Sequence, residues 1–357
     1  MNYELDWAFQ SGQPPASSAR FKQQPDDFQV VEELGFEPAE DEKGQHHWLW
    51  VEKRGANTEF VARQLAAFAG IEPRLVSFSG LKDRQAVTQQ WFSVELPATR
   101  VIDWNGFRLE LEHASDEDAR ILMHVRSGRK LRRGTHAANR FAIRLREVSQ
   151  PADVEARLLE VQRHGVPNYF GLQRFGHGGA NLSKAEAMFA GRRVKDRTLR
   201  SLYLSAARSF LFNQVVSARI ERQLAHTPLA GDVFMLAGSQ SFFCWSGGEA
   251  ESENESAIQA RLDCGDIRLT APLWGRGAAL TQAQAAEFEA EALAPWANVR
   301  EGLERAGLKQ ERRALQLQVE DLRWEWRGDE LELAFRLPTG AFATSVLREL
   351  FITRPDA

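Results

Sequence analysis

Apolar positions recur with a period of two over the first and last stretches of the chain and with a helical period between them. Residues 48–52 (WLWVE) read as a strand. Asn57-Thr58 then offers a cap ahead of Phe60, Val61, Leu65 and Phe68, a helical set that stops at Gly70. Residues 75–79 read as a short buried strand running into a polar turn at 80–84, and 89–96 alternate as another strand. Residues 101–112 are split by Asn105-Gly106, which predicts a hairpin. Residues 140–148 alternate, with Phe141, Ile143 and Leu145 on one face and Arg140, Ala142, Arg144 and Arg146 on the other. One face is predicted to pack and the other to be open to phosphate.

The middle of the chain changes period. Helical spacing appears at 154–162, at 183–189 and over a long run at 199–224, and again at 282–293 and 296–306. Between them, 231–267 is rich in Gly, Ser and Glu with short strand-like pieces such as 242–245. Strands return at 315–322 and at 323–326, which turns at Gly328-Asp329 into 330–337, before a last helix around 341–351. The pattern predicts an α+β fold: one sheet domain built from both ends of the chain and interrupted by a largely helical insertion. No internal repeat is present.

Composition narrows the class. The 357 residues suggest about two domains at roughly 150 residues each. With 43% apolar and 26% charged residues the chain reads as globular rather than disordered. No stretch resembles a membrane span, and the start, MNYELDWAFQ, has neither the basic nor the apolar region of an export signal, so a cytoplasmic protein is expected. Cys244 and Cys264 supply neither a disulfide framework nor a zinc site.

Charge does change the picture. The formal net charge is −4, yet residues 120–146 hold eight Arg and one Lys without a single Asp or Glu. A second basic run at 192–208 holds six basic residues against Asp196, whereas residues 26–42 carry eight acids and no Lys or Arg. Of the 45 basic residues 37 are arginine, whose planar fork binds phosphate bidentately and stacks on bases. Solvated faces would explain arginine over lysine but not 27 residues without an acid. Nucleic-acid contact is the favoured reading.

Candidate chemistry concentrates in two segments. In FSGLKDRQAV (78–87) a strand delivers Asp83 between Lys82 and Arg84, a setting that holds a carboxylate ionised and suits a nucleophile or base. An ordinary salt-bridged surface turn has the same spacing. In GTHAANRF (134–141) Asn139 and Phe141 share a strand face, so an amide that can bond a base edge lies beside a ring that can stack on it. Phe141 as plain core and Asn139 as a turn residue remain open, and Phe342 is equally ambiguous between core and surface. His46-His47 lacks partners for a metal, and His177-Gly178-Gly179 lacks a nucleophile elbow. There is no P-loop and no dinucleotide fingerprint.

Together RFKQQPDDFQVV (20–31), FSGLKDRQAV, GTHAANRF, PNYFGLQRFG (167–176) and LPTGAFATSVL (337–347) resemble the TruD family of pseudouridine synthases, in the family's order and over nearly the whole chain. The resemblance implies a pseudouridine-synthase catalytic domain at 1–164 plus 313–357 with a mixed or antiparallel sheet, and a TRUD insertion domain at 165–312. It implies tRNA as partner, bound in a cleft between the two domains, with isomerisation of uridine-13 as the activity, and no metal or cofactor. Asp83 matches the family's catalytic aspartate. Phe28, Asn139 and Phe342 match substrate-contacting positions, Phe141 the residue stacking on the target base, and Lys22 a charge partner of the site. Arg129, Lys130, Arg132 and Arg133 are expected on the RNA backbone. A monomer is expected. The competing readings are a non-catalytic RNA-binding or RNA-remodelling protein on the same scaffold, and a glycosidase-like hydrolase, which needs a second carboxylate that the Asp83 turn does not offer.

Overall fold

The alternating segments at both ends of the chain build one mixed sheet. The computed structural model describes residues 3, 5–97, 99–109, 117–239, 241–248 and 254–353. Its described residues fall into two compact units, one made by Pro15–Leu158, Val319–Ala343 and Leu350–Ala357, the other by Met1–Pro14, Leu159–Gln318 and Thr344–Glu349.

Along the first part of the chain run β1 (Ser18–Phe21), β2 (Phe28–Glu33), β3 (His46–Arg54), α1 (Thr58–Ala69), β4 (Val76–Phe78), β5 (Val87–Glu95), β6 (Asp118–Ser127), β7 (Ala138–Arg146) and α2 (Pro151–His164). The middle supplies β8 (Val166–Pro167), α3 (Ala180–Phe189), α4 (Arg197–Glu221), β9 (Val233–Leu236), β10 (Phe242–Cys244), α5 (Glu255–Asp263), β11 (Ile267–Leu273), α6 (Ala283–Ala292), α7 (Ala297–Arg305), β12 (Glu311–Ala314) and β13 (Gln316–Leu317). The chain ends with β14 (Glu320–Arg327), β15 (Glu330–Pro338), α8 (Ala343–Leu350) and β16 (Ile352–Thr353).

In the first unit the sheet order is β14-β15-β7-β2-β5-β3-β6, with β1, β16 and β4 attached off this path. Most pairs are antiparallel, while β2 runs parallel to β5 and β1 parallel to β16. On β2 the inward positions are Phe28, Val30 and Glu32, and on β7 they are Asn139, Phe141, Ile143 and Leu145. Helix α1 covers part of the sheet through Val61, Leu65 and Ala69. It starts where expected, because the Asn57 side chain accepts from the Glu59 N–H at 2.9 Å, and stops at Gly70 in the left-handed region, φ +59°. The second unit centres on α4, whose Phe210, Leu211, Phe212, Val215 and Val216 are buried against the sheet β10-β9-β11-β12 and the surrounding helices.

Three expectations need correction. Asn105-Gly106 closes no hairpin: it ends a short 3-10 turn, Trp104–Gly106, which the Asp103 side chain caps and which Trp104 and Phe107 bury. Two anchoring aromatics override the turn dipeptide, and 110–112 of the expected second strand lie outside the described residues. The strand expected at 315–322 is split into β13 and the start of β14. The insertion is not helix alone but also carries a four-stranded sheet, because β9 and β11 are short and lack a clean alternation.

Replacing the α1 cap, Asn57→Ala, is expected to lower unfolding free energy by about 1 kcal/mol. A urea titration reads this as a lower midpoint, and an unchanged midpoint would show that the cap contributes nothing here.

Candidate active site

The loop 79–86, between β4 and β5, is fixed residue by residue. Ser79 Oγ accepts from the His136 main-chain N–H at 2.8 Å and shares a 2.5 Å hydrogen bond with His136 Nδ1, while the Ser79 carbonyl accepts from Gly134 N. Gln90 Nε2 donates to the Gly80 carbonyl at 3.0 Å. Thr58 Oγ1 accepts from Lys82 N at 3.0 Å. Lys53 Nζ donates to the Asp83 carbonyl at 2.7 Å, and Gly55 N donates to the Ala86 carbonyl at 3.2 Å. A loop held at this many points is set before any ligand arrives.

The charges of the loop separate by side. Lys82 turns inward, where its Nζ donates to Glu32 Oε2 at 2.7 Å with the two side chains 5% and 0% exposed. Asp83 turns outward and its side chain is 56% exposed. Arg84 reaches away to the Gly55 carbonyl and to Glu117. The two sequence neighbours expected to bracket Asp83 are therefore engaged elsewhere. Its cation comes from another segment: Lys22 Nζ donates to Asp83 Oδ2 at 2.8 Å. Lys22 follows β1 with φ +59°, a left-handed conformation uncommon for a residue with a side chain. Its ammonium stands 4.1 Å from the Phe28 ring centroid, a cation–π contact.

Phe28 leads to the next candidates. Its ring lies 6.0 Å from that of Phe141, tilted by 41°, and Phe141 stacks near-parallel on Phe335 at 5.3 Å. Phe141 is only 7% exposed, so Phe335 takes one of its faces and the ring belongs to the core as well as to the site. Asn139, beside it on the inward face of β7 and opposite Glu32 on β2, has a buried Oδ1 with no hydrogen-bond partner among the described residues. Phe342 is 48% exposed on the turn between β15 and α8, without a ring contact to Phe28 or Phe141 among the described residues. Thr339, three residues before it, ties that turn back through its N–H to the Ala137 carbonyl at 2.9 Å and through its hydroxyl to the His136 carbonyl.

Several residues that sequence reasoning missed now matter. Lys53 is buried, and burial followed by the charge of Lys82 pushes its ammonium down to about 8, with Asp83 opposing. Burial raises the Glu32 carboxyl above the usual range, against the pull of Lys82. Burial and then Lys82 push His136 down to about 4, so its imidazole is neutral at pH 7. The signal for Glu32 and Lys53 was present: both fall on the apolar phase of their strands. For His136 there was none.

The basic run is less open than its sequence implies. Arg120 pairs with Glu52, Arg140 with Glu33, Arg144 with Glu332, and Arg146 with Asp27 and Glu330, so the outer face of β7 is a cross-strand lattice rather than a bare phosphate surface. The loop 128–137 differs. Trp48 Nε1 holds the Arg129 carbonyl at 2.7 Å and Ser77 Oγ holds that of Leu131 at 2.8 Å. Arg129, Arg132 and Arg133 point their side chains out with no ion pair among the described residues, while Lys130 lies 3.4 Å from Glu95. The loop that carries them also carries Gly134 and His136, and so is bonded directly to the loop of Asp83. In the second unit Arg192, Arg193, Lys195, Arg197 and Arg200 are likewise exposed without an ion pair among the described residues.

Comparison with known proteins agrees in one direction. The sequence model of the family described as tRNA pseudouridine synthase D (TruD) matches residues 11–182 and 180–350. A tRNA pseudouridine synthase D of Aeromonas salmonicida (strain A449) is 50% identical over 336 residues, 94% of this chain and 91% of that protein. One of Proteus mirabilis (strain HI4320) is 45% identical over 351 residues, 98% and 95% of the two chains. The crystal structure of a Methanosarcina mazei protein, provisionally named tRNA pseudouridine synthase D (TruD), superposes with a TM-score of 0.69 over 94% of this chain and 93% of that one, at 21% identity, and shows the same fold.

Since His136 is held near 4 in the folded state against an ordinary 6.5, the folded protein binds fewer protons than the unfolded chain between those values. Its contribution to stability is present above pH 6.5 and is lost as the pH falls toward 4. Urea unfolding measured across that window is expected to show a steeper loss of stability in the wild type than in His136→Gln; parallel curves would remove His136 as a cause.

Proposed function

The chain belongs to the TruD family of tRNA pseudouridine synthases, which are isomerases, and from that premise we propose that it converts uridine-13 of tRNA to pseudouridine with Asp83 as the essential carboxylate. We propose further that it acts in the cytoplasm as a monomer without metal or cofactor. In this reading residues 1–164 and 313–357 form the catalytic domain and 165–312 the insertion domain. The observation that carries the proposal is the meeting of Lys22, Phe28 and Asp83: an exposed carboxylate 2.8 Å from an ammonium that is itself seated on a ring beside Phe141.

The reaction asks little more of the protein. Uracil leaves ribose by breaking the N1–C1′ bond, turns over, and rejoins through C5; the C5 hydrogen goes to solvent and N1 gains one, so composition is unchanged. Asp83 starts this either by attacking C1′ or by taking the 2′ proton. A stacked base cannot turn, so the nucleotide is flipped out at about a few kcal/mol and held by stacking and hydrogen bonds. Phe28, Phe141 and the half-exposed Phe342 supply aromatic surface. The unpartnered Asn139 Oδ1 suits a donor such as uracil N3–H, since a buried acceptor without a partner gains most from one. Lys22, one of the nearest cations to the carboxylate, offers charge to the phosphodiester flanking the target ribose as well. Arg129, Arg132 and Arg133, with Lys130 beside them, face out from a loop bonded to the Asp83 loop, and in this reading take RNA phosphates.

Tritium release from [5-³H]uridine-labelled unmodified tRNA, without added metal or nucleotide, tests the reaction. Wild type is expected to release tritium from position 13. Asp83→Asn is expected to lose turnover while binding tRNA nearly as before, and substantial residual release would remove Asp83 from the mechanism. Changing Arg129, Arg132 and Arg133 together to Gln is expected to weaken tRNA binding and lower the slope of log K against log salt by about 0.7–0.9 per lost phosphate contact. A slope equal to that of the wild type would place that loop away from the RNA.

A further inference from the structure

The second unit contains two arginines that the proposed reaction does not use. Arg174 lies in the 3-10 turn Leu172–Phe175, and Arg313 on β12. Both guanidinium groups stand over the same ring, Phe170, at 5.5 and 4.4 Å from its centroid. Arg313 donates through Nη2 to Asn168 Oδ1 at 2.5 Å, and its buried Nε has no acceptor among the described residues. Arg174 Nη1 donates to Ser205 Oγ at 3.1 Å. Neither forms an ion pair among the described residues.

Arg312, the preceding residue, is buried against Glu289, and Arg219 is buried against Asp232. These two fully buried guanidinium groups are compensated by a carboxylate, as the expense of removing a charge from water requires, whereas the part-buried Arg268 and Arg300, like Arg313, form no ion pair among the described residues. Arg313 is part-buried; burial and then the charge of Arg174 push it down to about 10, which leaves it a cation at neutral pH. What sets Arg313 apart is that a second guanidinium, that of Arg174, converges on the same ring with neither paired to a carboxylate among the described residues.

The surroundings are built rather than incidental. Asn213 fixes the Phe170 backbone from both sides, its Oδ1 accepting from Phe170 N at 2.9 Å and its Nδ2 donating to the Phe170 carbonyl at 3.0 Å. Asn168 is oriented by its own donation to the Ala314 carbonyl at 2.9 Å, which leaves Oδ1 to aim Arg313. Ser205 stands on α4, and the two turns before it carry the exposed Arg197 and Arg200. A planar guanidinium stacked on a ring is held in one plane, and each of these two uses one side-chain hydrogen bond among the described residues, to Asn168 or Ser205, so that further N–H donors remain for a phosphate.

We propose that Arg174 and Arg313 form a phosphodiester-binding site on the RNA substrate, with Phe170 as its platform, continuing the basic stretch at the start of α4. The inference rests on tRNA being the substrate. The anion that the site lacks in the protein is supplied by the RNA backbone, so this contact is independent of sequence and acts on binding rather than on the chemical step.

Filter binding of unmodified tRNA over a range of salt, together with tritium release, tests this on the full-length protein. Arg174→Gln and Arg313→Met are each expected to weaken tRNA binding about tenfold at moderate salt, the loss of one charge-assisted contact, and to lower the salt slope by about one. Arg313→Lys is expected to keep most of the salt slope while losing part of the affinity, because charge remains and the fork is gone. Thermal melting without RNA separates this from a structural role: Arg313→Met is expected to melt close to the wild type, since the loss of the Asn168 hydrogen bond is offset by removal of a part-buried charge that has no ion pair among the described residues and by the methionine keeping the packing on Phe170. Unchanged affinity and slope in both neutral variants, with wild-type turnover intact, overturn the site alone. A lower melting temperature of Arg313→Met with an unchanged slope does the same and makes the cluster structural. Wild-type protein that neither binds tRNA nor releases tritium overturns the reading of the substrate and this site with it.

Discussion

The ion pair between Glu32 and Lys82 determines how the loop of Asp83 lies. Two opposite charges buried side by side leave little choice of conformation, because breaking such a pair strands an uncompensated charge at a cost of about 3–5 kcal/mol. With Lys82 held inward by this pair, its neighbour Asp83 faces outward. The remaining contacts then only trim the result: Thr58 on the Lys82 backbone, Lys53 on the Asp83 carbonyl, and Ser79 against His136. Glu32 also accepts from Trp91 N at 3.2 Å, which links the pair to the paired strands β2 and β5. The carboxylate that faces solvent is thus positioned mainly by residues that do not touch its oxygens.

This arrangement explains what could be read from the chain and what could not. Strand and helix positions were legible wherever one period ran uninterrupted, as on β3, β7, α1 and α4, because burial on one face imposes that period. The inward phase of β7 placed Asn139 and Phe141 on one face correctly. The environment of Asp83 was not legible in the same way. Adjacent cations suggested Lys82 and Arg84, but both are engaged elsewhere, and the cation that arrives, Lys22, lies 61 residues away in sequence and was named by the family resemblance alone, not by local spacing. Pairing between distant segments is decided by sheet register, which local spacing does not contain. Glu32 and Lys53 could have been suspected, since each is a charge in the apolar phase of a strand. His136 could not, because its role depends on Ser79 and Thr339, which meet it only in the folded sheet.

The arginine-rich run shows the same lesson in electrostatics. A stretch without acids reads as a single positive surface, yet four of its strand arginines meet acids that come from elsewhere in the chain. Glu33, Glu52, Glu330 and Glu332 meet Arg140, Arg120, Arg146 and Arg144 across the sheet. Where the chain leaves the sheet, in the loop 128–137, Arg129, Arg132 and Arg133 have no such partner among the described residues. Loop arginines are thus the part of the run with charge left to offer, and that loop is bonded to Ser79 and hence to the aspartate loop.

The pairing of Lys22 with Asp83 is of a different kind from that of Lys82 with Glu32. With Asp83 more than half exposed, the contact stands in an almost aqueous dielectric and contributes roughly 0–1 kcal/mol in the unliganded protein. Coulomb energy between unit charges ~4 Å apart rises from about 1 to about 4 kcal/mol as the effective dielectric falls from that of water to that of a protein surface. A nucleotide seated over the pair expels water and brings the contact into the second regime, so in the proposed reaction Lys22 acts on the carboxylate most strongly once the substrate is in place. Its seat is prepared beforehand: the left-handed backbone at Lys22, which costs about 1–2 kcal/mol, is held by Gln85 donating to its carbonyl and by the Phe28 ring under its ammonium. A buried pair fixes the frame and an exposed pair waits on it, and the division lets one loop be rigid in position while its carboxylate remains open to substrate.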